Sequence, residues 1–67
     1  MKINKKRLRL LMMENCMTTE ALAKAAGIGV ATVNILLHHE RRTLPVTIGK
    51  VAKALNVNPE ELIEEDV

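Results

Sequence analysis

The sequence contains no phenylalanine, tyrosine or tryptophan, although hydrophobic residues make up 48% of it. A core must therefore be built from leucine, isoleucine, valine, methionine and alanine. This mixture suits helix packing better than the aromatic and β-branched surfaces that sheets prefer. Because 27% of the residues are charged, the composition is that of a globular chain rather than a disordered one. These proportions predict an all-α fold.

Cysteine and long apolar runs are scarce as well. Cys16 is the only cysteine, so an internal disulfide is excluded. The longest apolar run near the start ends at Glu14, far short of the roughly 20 residues that a membrane span needs. A lysine-rich start without a signal-peptide apolar stretch favours a cytoplasmic protein. At this length we expect one domain over residues 1–67, with little room for an enzyme cleft.

Positive and negative charges stand at opposite ends of the sequence. The net charge is +2, but the start is basic and the end is acidic. The basic residues are Lys2, Lys5, Lys6, Arg7 and Arg9, and the acidic ones are Glu60, Glu61, Glu64, Glu65 and Asp66. A basic segment is a common footprint of a polyanion partner, and a solvated helix face has the same composition. Charge alone leaves both interpretations open.

Apolar spacing and capping residues predict five helices and no sheet. The predicted helices cover residues 4–15, 19–26, 30–38 and 47–55, and a short fifth helix begins at Pro59. Thr18 is a natural N-cap, and Gly27 tolerates the left-handed conformation that closes a helix. Asn56 is expected to stop the fourth helix in the same way. The stretch from His39 to Pro45 is predicted to be a loop.

The apolar positions of these helices predict one core. Its expected members are Leu11, Leu22, Ala23, Val33, Leu36, Ile48, Val51, Leu55 and Leu62. Met12, Met13 and Met17 are predicted to fill gaps in this core, because methionine adapts to irregular spaces. Cys16 is predicted to be a small core or boundary residue.

Two short predicted helices separated by a glycine-containing turn of three residues are typical of a helix-turn-helix, here over about residues 19–38. Ala23 lies where the helices must cross closely and only a small side chain fits. Gly27 supplies the turn. Val33 and Leu36 pack back into the angle between the helices and fix it.

On these residues the chain resembles the Cro/repressor-type (XRE-like) helix-turn-helix family from Leu8 to Ile63. The matching segments are Thr18 to Ala23, Ala26 to Ile28, Thr32 and Val33, Thr47 to Val57, and Glu61 to Ile63. The resemblance implies a compact five-helix, lambda-repressor-like domain. It also implies that the third helix enters the major groove of operator DNA, usually as part of a dimer.

The third helix departs from the family pattern because it is unusually apolar. Gly29 replaces the usual serine cap, and Ile35 and Leu37 stand where charged residues are common. Either the DNA is read largely through thymine methyl groups, or this surface contacts a protein instead.

The candidate DNA-binding residues lie in and just after the helix-turn-helix. They are Thr18, Thr19, Gly29, Val30, Ala31, Thr32, Asn34, His38, Arg41 and Arg42. Asn34 can bond an adenine edge in bidentate fashion, and Val30 and Ala31 can contact a thymine methyl group. The alternative for Asn34 is a polar residue that is only exposed to solvent, and the alternative for Val30 is packing against the domain.

Phosphate contacts are expected at the two helix starts and after the third helix. Thr18, Thr19 and the amides at Gly29 and Val30 are suited to phosphate because helix N-termini attract anions, although capping explains Thr18 equally well. The pair Arg41 and Arg42 can clamp backbone phosphates or form plain surface charge.

Metal binding and catalysis are not expected. His38 and His39 are adjacent and point in different directions, which makes a poor chelating pair. No nucleophile has a candidate base near it in the sequence. We therefore expect no cofactor, no small-molecule substrate and no membrane partner.

Two functions fit these observations. The first is a sequence-specific transcriptional regulator of double-stranded DNA, a repressor by family analogy. It would act as a homodimer on a two-fold operator, with half-sites roughly 34 Å apart and a dimer surface at the end of helix four and helix five. The second is a protein-interaction module, such as the partner-binding half of a toxin–antitoxin-like pair. Its support is an exposed apolar excess expected at Val30, Ile35 and Leu37.

Overall fold

A computed structural model describes residues 2–39 and 42–64. The elements in chain order are β1 (Lys2–Ile3), α1 (Lys5–Glu14), α2 (Thr19–Ala26), α3 (Val30–His38), α4 (Pro45–Ala54), a 3₁₀ turn (Pro59–Glu61) and β2 (Ile63–Glu64). The predicted bounds of α2 and α3 are confirmed, and α1 differs from its prediction by one residue at each end.

Side-chain caps begin the first two helices, and the second of them, at Thr18, was predicted from the sequence. The Asn4 side chain accepts a hydrogen bond from the Arg7 amide at 3.1 Å, and Thr18 accepts one from the Ala21 amide at 3.0 Å. Each bond satisfies an amide that has no partner within its helix.

Three of the four α-helices in the described ranges end in the same way. A residue in the left-handed conformation follows α1, α2 and α4: Cys16 (φ 52°), Gly27 (φ 71°) and Asn56 (φ 57°). In each case the next amide donates to the carbonyl five positions earlier, over 2.9 to 3.0 Å. This pattern is the Schellman motif, and it satisfies carbonyls at the helix end. The predicted roles of Gly27 and Asn56 are confirmed. The end of α3 is different, since His39 there is extended.

The core lies between the four helices and takes in both strands. The nine residues expected to form the core are all buried, and Met12 is buried as predicted. Met17 is partly buried against this core, and Ile3, Leu8, Leu37 and Ala52 are further buried members. The core face of α1 consists of Leu8, Leu11 and Met12, at the spacing of one helical stripe.

Two predictions for the end of α1 were wrong. Met13 was expected in the core but has 71% of its surface exposed, because it lies one position beyond the buried stripe. Cys16 was expected in the core or at its boundary and is exposed. It lies in the turn after α1, beyond the part of the helix that packs inward.

The prediction of a helical fold is confirmed, but its count of five helices is not, and the expected absence of a sheet was wrong. Strand β1 pairs antiparallel with β2, with Ile3 opposite Ile63 and Lys2 opposite Glu64. The segment from Pro59 forms only a 3₁₀ turn, because the chain then becomes extended to pair with β1. The Leu62 carbonyl accepts a 2.7 Å hydrogen bond from the Asn4 amide at the edge of this pairing.

Helix α4 begins two residues earlier than predicted. Pro45 was assigned to the preceding loop but is the first helical residue. The fixed φ of proline suits this position, and its missing amide hydrogen removes a donor that would have no partner there. The N-cap, Leu44, makes no side-chain capping bond.

Candidate nucleic-acid interface

Helices α2 and α3 form the angled pair that the sequence predicted. The chain direction turns by 117° between them, within the range of helix-turn-helix pairs. Gly27 allows the turn through its positive φ, while Ala23, Val33 and Leu36 are buried in the angle. The buried residues hold α3 with its opposite face toward solvent.

The start of α2 carries the first two candidate residues. Thr18 is exposed, and its hydroxyl oxygen accepts the capping bond from Ala21. A hydroxyl that accepts one bond still has a hydrogen to donate. Thr18 can therefore cap the helix and donate to an anion at the same time. Thr19 is half-buried as the first residue of α2.

The start of α3 has no side-chain cap. Gly29 is the N-cap and offers no oxygen to the first amides of the helix. Val30, with 42% of its surface exposed, and Ala31 stand in this first turn. Uncapped amides at a helix N-terminus are donors with a partial positive charge. This end of α3 combines backbone donors with small apolar side chains.

The outer face of α3 carries Asn34, which is exposed as expected. The expected apolar excess is smaller than the sequence suggested. Leu37 was predicted to be exposed and is buried, with 6% of its surface exposed, because α1 packs on this side of α3. Ile35 is half-buried, so of these three apolar residues only Val30 is exposed.

A groove of about 180 Å³ separates α3 from the start of α4. Its lining residues are Thr32, Ile35, Leu36, Arg42, Thr43, Leu44 and Thr47. Thr32 was a predicted site residue, whereas Thr43 and Thr47 were not. Leu44, the N-cap at the uncapped start of α4, is exposed and lines this groove. The groove depends on where α4 begins, and the sequence signal for that start was Pro45, because proline prefers the first position of a helix.

The candidates that follow α3 have different outcomes. His38 and Arg42 are exposed, and Arg42 forms an isolated backbone bridge with Lys2. Arg41 lies outside the described residues. No group of three or more histidine, cysteine or carboxylate side chains that could hold a metal ion occurs among the residues described.

One polar contact to α3 was not predicted. The Arg9 guanidinium in α1 donates a hydrogen bond from Nη2 to the Leu37 carbonyl, at 2.9 Å. In the sequence Arg9 is one member of the basic segment, and no local pattern distinguishes it from Lys6 or Arg7.

No single helix within the described ranges is long and apolar enough to cross a membrane. Within the same ranges, α2 and α3 are the one pair of helices that together reach such a length and composition, across their 117° bend.

The family comparison decides the identity of this helix-turn-helix. The model of the Cro/C1-type HTH DNA-binding domain matches residues 7–65. The chain belongs to the Cro/C1-type family. This match confirms the resemblance drawn from the sequence, and it makes the chain a DNA-binding domain by family.

Solved structures that are similar to this chain include proteins of very different size. The restriction-modification controller protein C.AhdI from Aeromonas hydrophila is 32% identical, with a TM-score of 0.78, and the match covers 85% of this chain and 86% of that one. A mutant of hydroxyethylphosphonate dioxygenase is 26% identical, with a TM-score of 0.85 over 97% of this chain. PhpD with cadmium and its phosphonate ligand is likewise 26% identical, with a TM-score of 0.83 over the same share.

The Cro/C1-type chain spans only 14% of the dioxygenase and 14% of PhpD. The likeness to these two proteins therefore concerns one part of each. No curated protein sequence matches the chain significantly.

Proposed function

We propose that this Cro/C1-type domain is a sequence-specific transcriptional regulator that represses its target by occupying an operator. The observation that carries the proposal is the outward face of α3, where Val30, Ala31 and Asn34 are exposed while Val33 and Leu36 fix the helix from behind. The controller function named for C.AhdI supports a regulatory role.

Base reading is assigned to the first half of α3. The Asn34 amide has one donor and one acceptor group in the geometry of an adenine edge, and Val30 and Ala31 are apolar neighbours for a thymine methyl group. Such a surface prefers A·T-rich half-sites in the major groove. With one amide among small apolar side chains, this surface has few groups that could hydrogen-bond a guanine edge.

Phosphate contacts are assigned to the residues around that face. Thr18 and Thr19 lie at the start of α2, Gly29 provides uncapped amides at the start of α3, and Thr32 lines the groove toward α4. His38, Arg41 and Arg42, at the end of α3 and after it in the sequence, are assigned phosphate contacts as well. These contacts place the protein on DNA without reporting the base sequence.

The dimer that an operator of two half-sites requires is assigned to the opposite side of α4. A groove of about 430 Å³ lies there, and its lining residues are Gly49, Ala52, Lys53, Asn56, Val57, Asn58, Pro59 and Glu61. A two-fold pair would present two α3 helices one turn of DNA apart, roughly 34 Å. One domain this small reads few base pairs, so pairing supplies specificity.

Selection from a random DNA pool, followed by titration of the selected and random DNA over a salt series, tests the function. We expect an A·T-rich two-fold consensus and an affinity that falls steeply with salt. Absence of any selected sequence would contradict DNA regulation. In that case the exposed Val30 surface would instead favour the protein-interaction module.

A further inference from the structure

The carbonyl end of α3 is held from outside the helix. The other three α-helices close with a left-handed residue and a Schellman bond, whereas α3 runs into the extended His39. At this end Arg9 donates to the Leu37 carbonyl over 2.9 Å. Helix α3, the proposed DNA-reading helix, therefore receives a hydrogen bond from α1 at its C-terminal end. The other helices satisfy carbonyls at this end with their own Schellman bonds.

The chemistry of Arg9 suits this position. Carbonyls in the last turn of a helix lack the amide four residues ahead, and the helix dipole makes that end partly negative. A guanidinium supplies both a donor and a positive charge. Leu37 itself is buried, so the carbonyl that Arg9 contacts belongs to a residue that is packed in the core.

A second contact comes from the same part of the chain. The backbone of Lys2 bridges to Arg42 beyond α3, and strand β1, to which Lys2 belongs, pairs with β2. Residues 2–9 thus contact the chain at two points, at Leu37 near the end of α3 and at Arg42 beyond it. The candidate phosphate contacts His38 and Arg42 stand next to these two points.

We propose that Arg9 is a positioning residue for DNA binding. It fixes the end of α3, so that the side chains following this helix meet backbone phosphates together with the first turn of α3. Arg9 acts through the Leu37 carbonyl and does not itself contact DNA. The proposal rests on the proposed DNA-binding function and adds to it a residue outside the helix-turn-helix.

The test compares Arg9→Met with Lys6→Met. Methionine keeps an unbranched apolar stem but has no donor. Lys6 is an exposed residue one turn earlier on α1, so both variants lose one positive charge from the same helix. Arg9→Lys restores charge and one donor group, and we expect it to recover part of the affinity. Affinity for the selected DNA is measured over a salt series, at a temperature where circular dichroism shows every variant folded.

We expect Arg9→Met to weaken binding by about tenfold, the scale of one hydrogen bond to a charged donor. The slope of log affinity against log salt concentration should fall by about one unit. The reason is that one side chain after α3 no longer reaches its phosphate, so the protein neutralises one phosphate fewer. Lys6→Met should stay within about twofold of the parent. In the free protein, hydrogen exchange at the His39 amide, which bonds to the Ile35 carbonyl, should accelerate in Arg9→Met. Amides within α2 should exchange as before.

Equal affinities for Arg9→Met and Lys6→Met would overturn the proposal while leaving the proposed function standing. A reduced affinity with unchanged exchange at His39 would also overturn it, because Arg9 would then contact DNA directly. If the parent protein binds no DNA, the proposed function fails first, and the role of Arg9 in DNA binding fails with it.

Discussion

Arg7 in α1 and Glu61 in the 3₁₀ turn form an ion pair, with 2.9 Å between Nη2 and Oε1. The other carboxylate oxygen of Glu61 accepts a 3.2 Å hydrogen bond from the Asn58 amide, which completes a capping box. The basic start and the acidic end of the sequence thus meet in the fold. What appeared from the sequence to be segregated charge is partly a contact between the two ends.

This contact predicts a dependence of stability on acid. The hydrogen bond from Arg7, with a smaller contribution from the Asn58 amide, lowers the pKa of Glu61. Stability from a carboxylate with a lowered pKa is present above its unfolded-state pKa and is lost as pH falls through the folded-state value. Between about pH 6 and about pH 3, the melting temperature of the parent should therefore fall more than that of Glu61→Gln. Glu60→Gln, at the exposed neighbouring position, is the control and should follow the parent.

The buried face of α3 predicts a large effect on folding. Leu36→Ala removes a side chain with 4% of its surface exposed and leaves a cavity. It should cost about 2 to 5 kcal/mol of unfolding free energy. Leu44→Ala deletes the same atoms where 71% of the side chain is exposed, and should change stability by about 0.5 kcal/mol or less. Urea unfolding of both variants measures the contrast, and similar losses would contradict the assigned faces of the core.

Asn34 is predicted to read a base. Asn34→Ala should cost about 1 to 3 kcal/mol of binding free energy on the selected sequence, with little loss on random DNA and little change in melting temperature. Competition between the selected and random DNA measures this preference. An unchanged preference would make Asn34 a solvated surface residue.

Arg41 and Arg42 are predicted to bind phosphate without choosing a sequence. Replacing both with alanine should weaken binding to all DNAs alike and reduce the salt slope by up to about two units. The control replaces Lys6 and Lys50, two exposed lysines outside the helix-turn-helix and the segment after it. If the control lowers the slope equally, the arginines contribute only to the overall charge.

Gly49 offers a test of the proposed dimer surface. Apart from its chain neighbours and the backbone of its own helix, a Cβ atom at this position would meet no heavy atom within 4 Å, so a side chain should be tolerated in the free domain. Gly49→Ala should stabilise α4 by up to about 1 kcal/mol through helix propensity. Gly49→Arg should also fold, but should fill the groove and prevent pairing. Sedimentation equilibrium measures the association, and a dimer of unchanged affinity in Gly49→Arg would locate the interface elsewhere.

Local signals explain what the sequence predicted well. Thr18 and Gly27 set the bounds of α2 through bonds within a few residues, so their effects are visible without tertiary structure. The strands were not predicted because each has two residues, too few for a period of two, and because the contact joins Ile3 to Ile63. Likewise, the burial of Leu37 depends on α1, which packs against α3 from far away in the sequence.

In the candidate site, too, local features were predicted from the sequence and long-range contacts were not. Asn34 is exposed as predicted because its position relative to Val33 and Leu36 follows from helix geometry alone. Arg9 could not be recognised, since the carbonyl that it bonds lies 28 positions away. The groove beside α3 depends on where α4 starts, and the early start at Pro45 was not predicted.

The pairing of β1 with β2 has a consequence for how this fold can be combined with other sequences. Because Lys2 lies opposite Glu64, the polypeptide enters and leaves residues 2–64 at points one strand spacing apart, about 5 Å. A host protein can therefore carry this unit within a single surface loop, without stretching the loop or separating its two stems. Circular permutation is open for the same reason. A short linker can join the two strands, and new termini can be cut at an exposed turn.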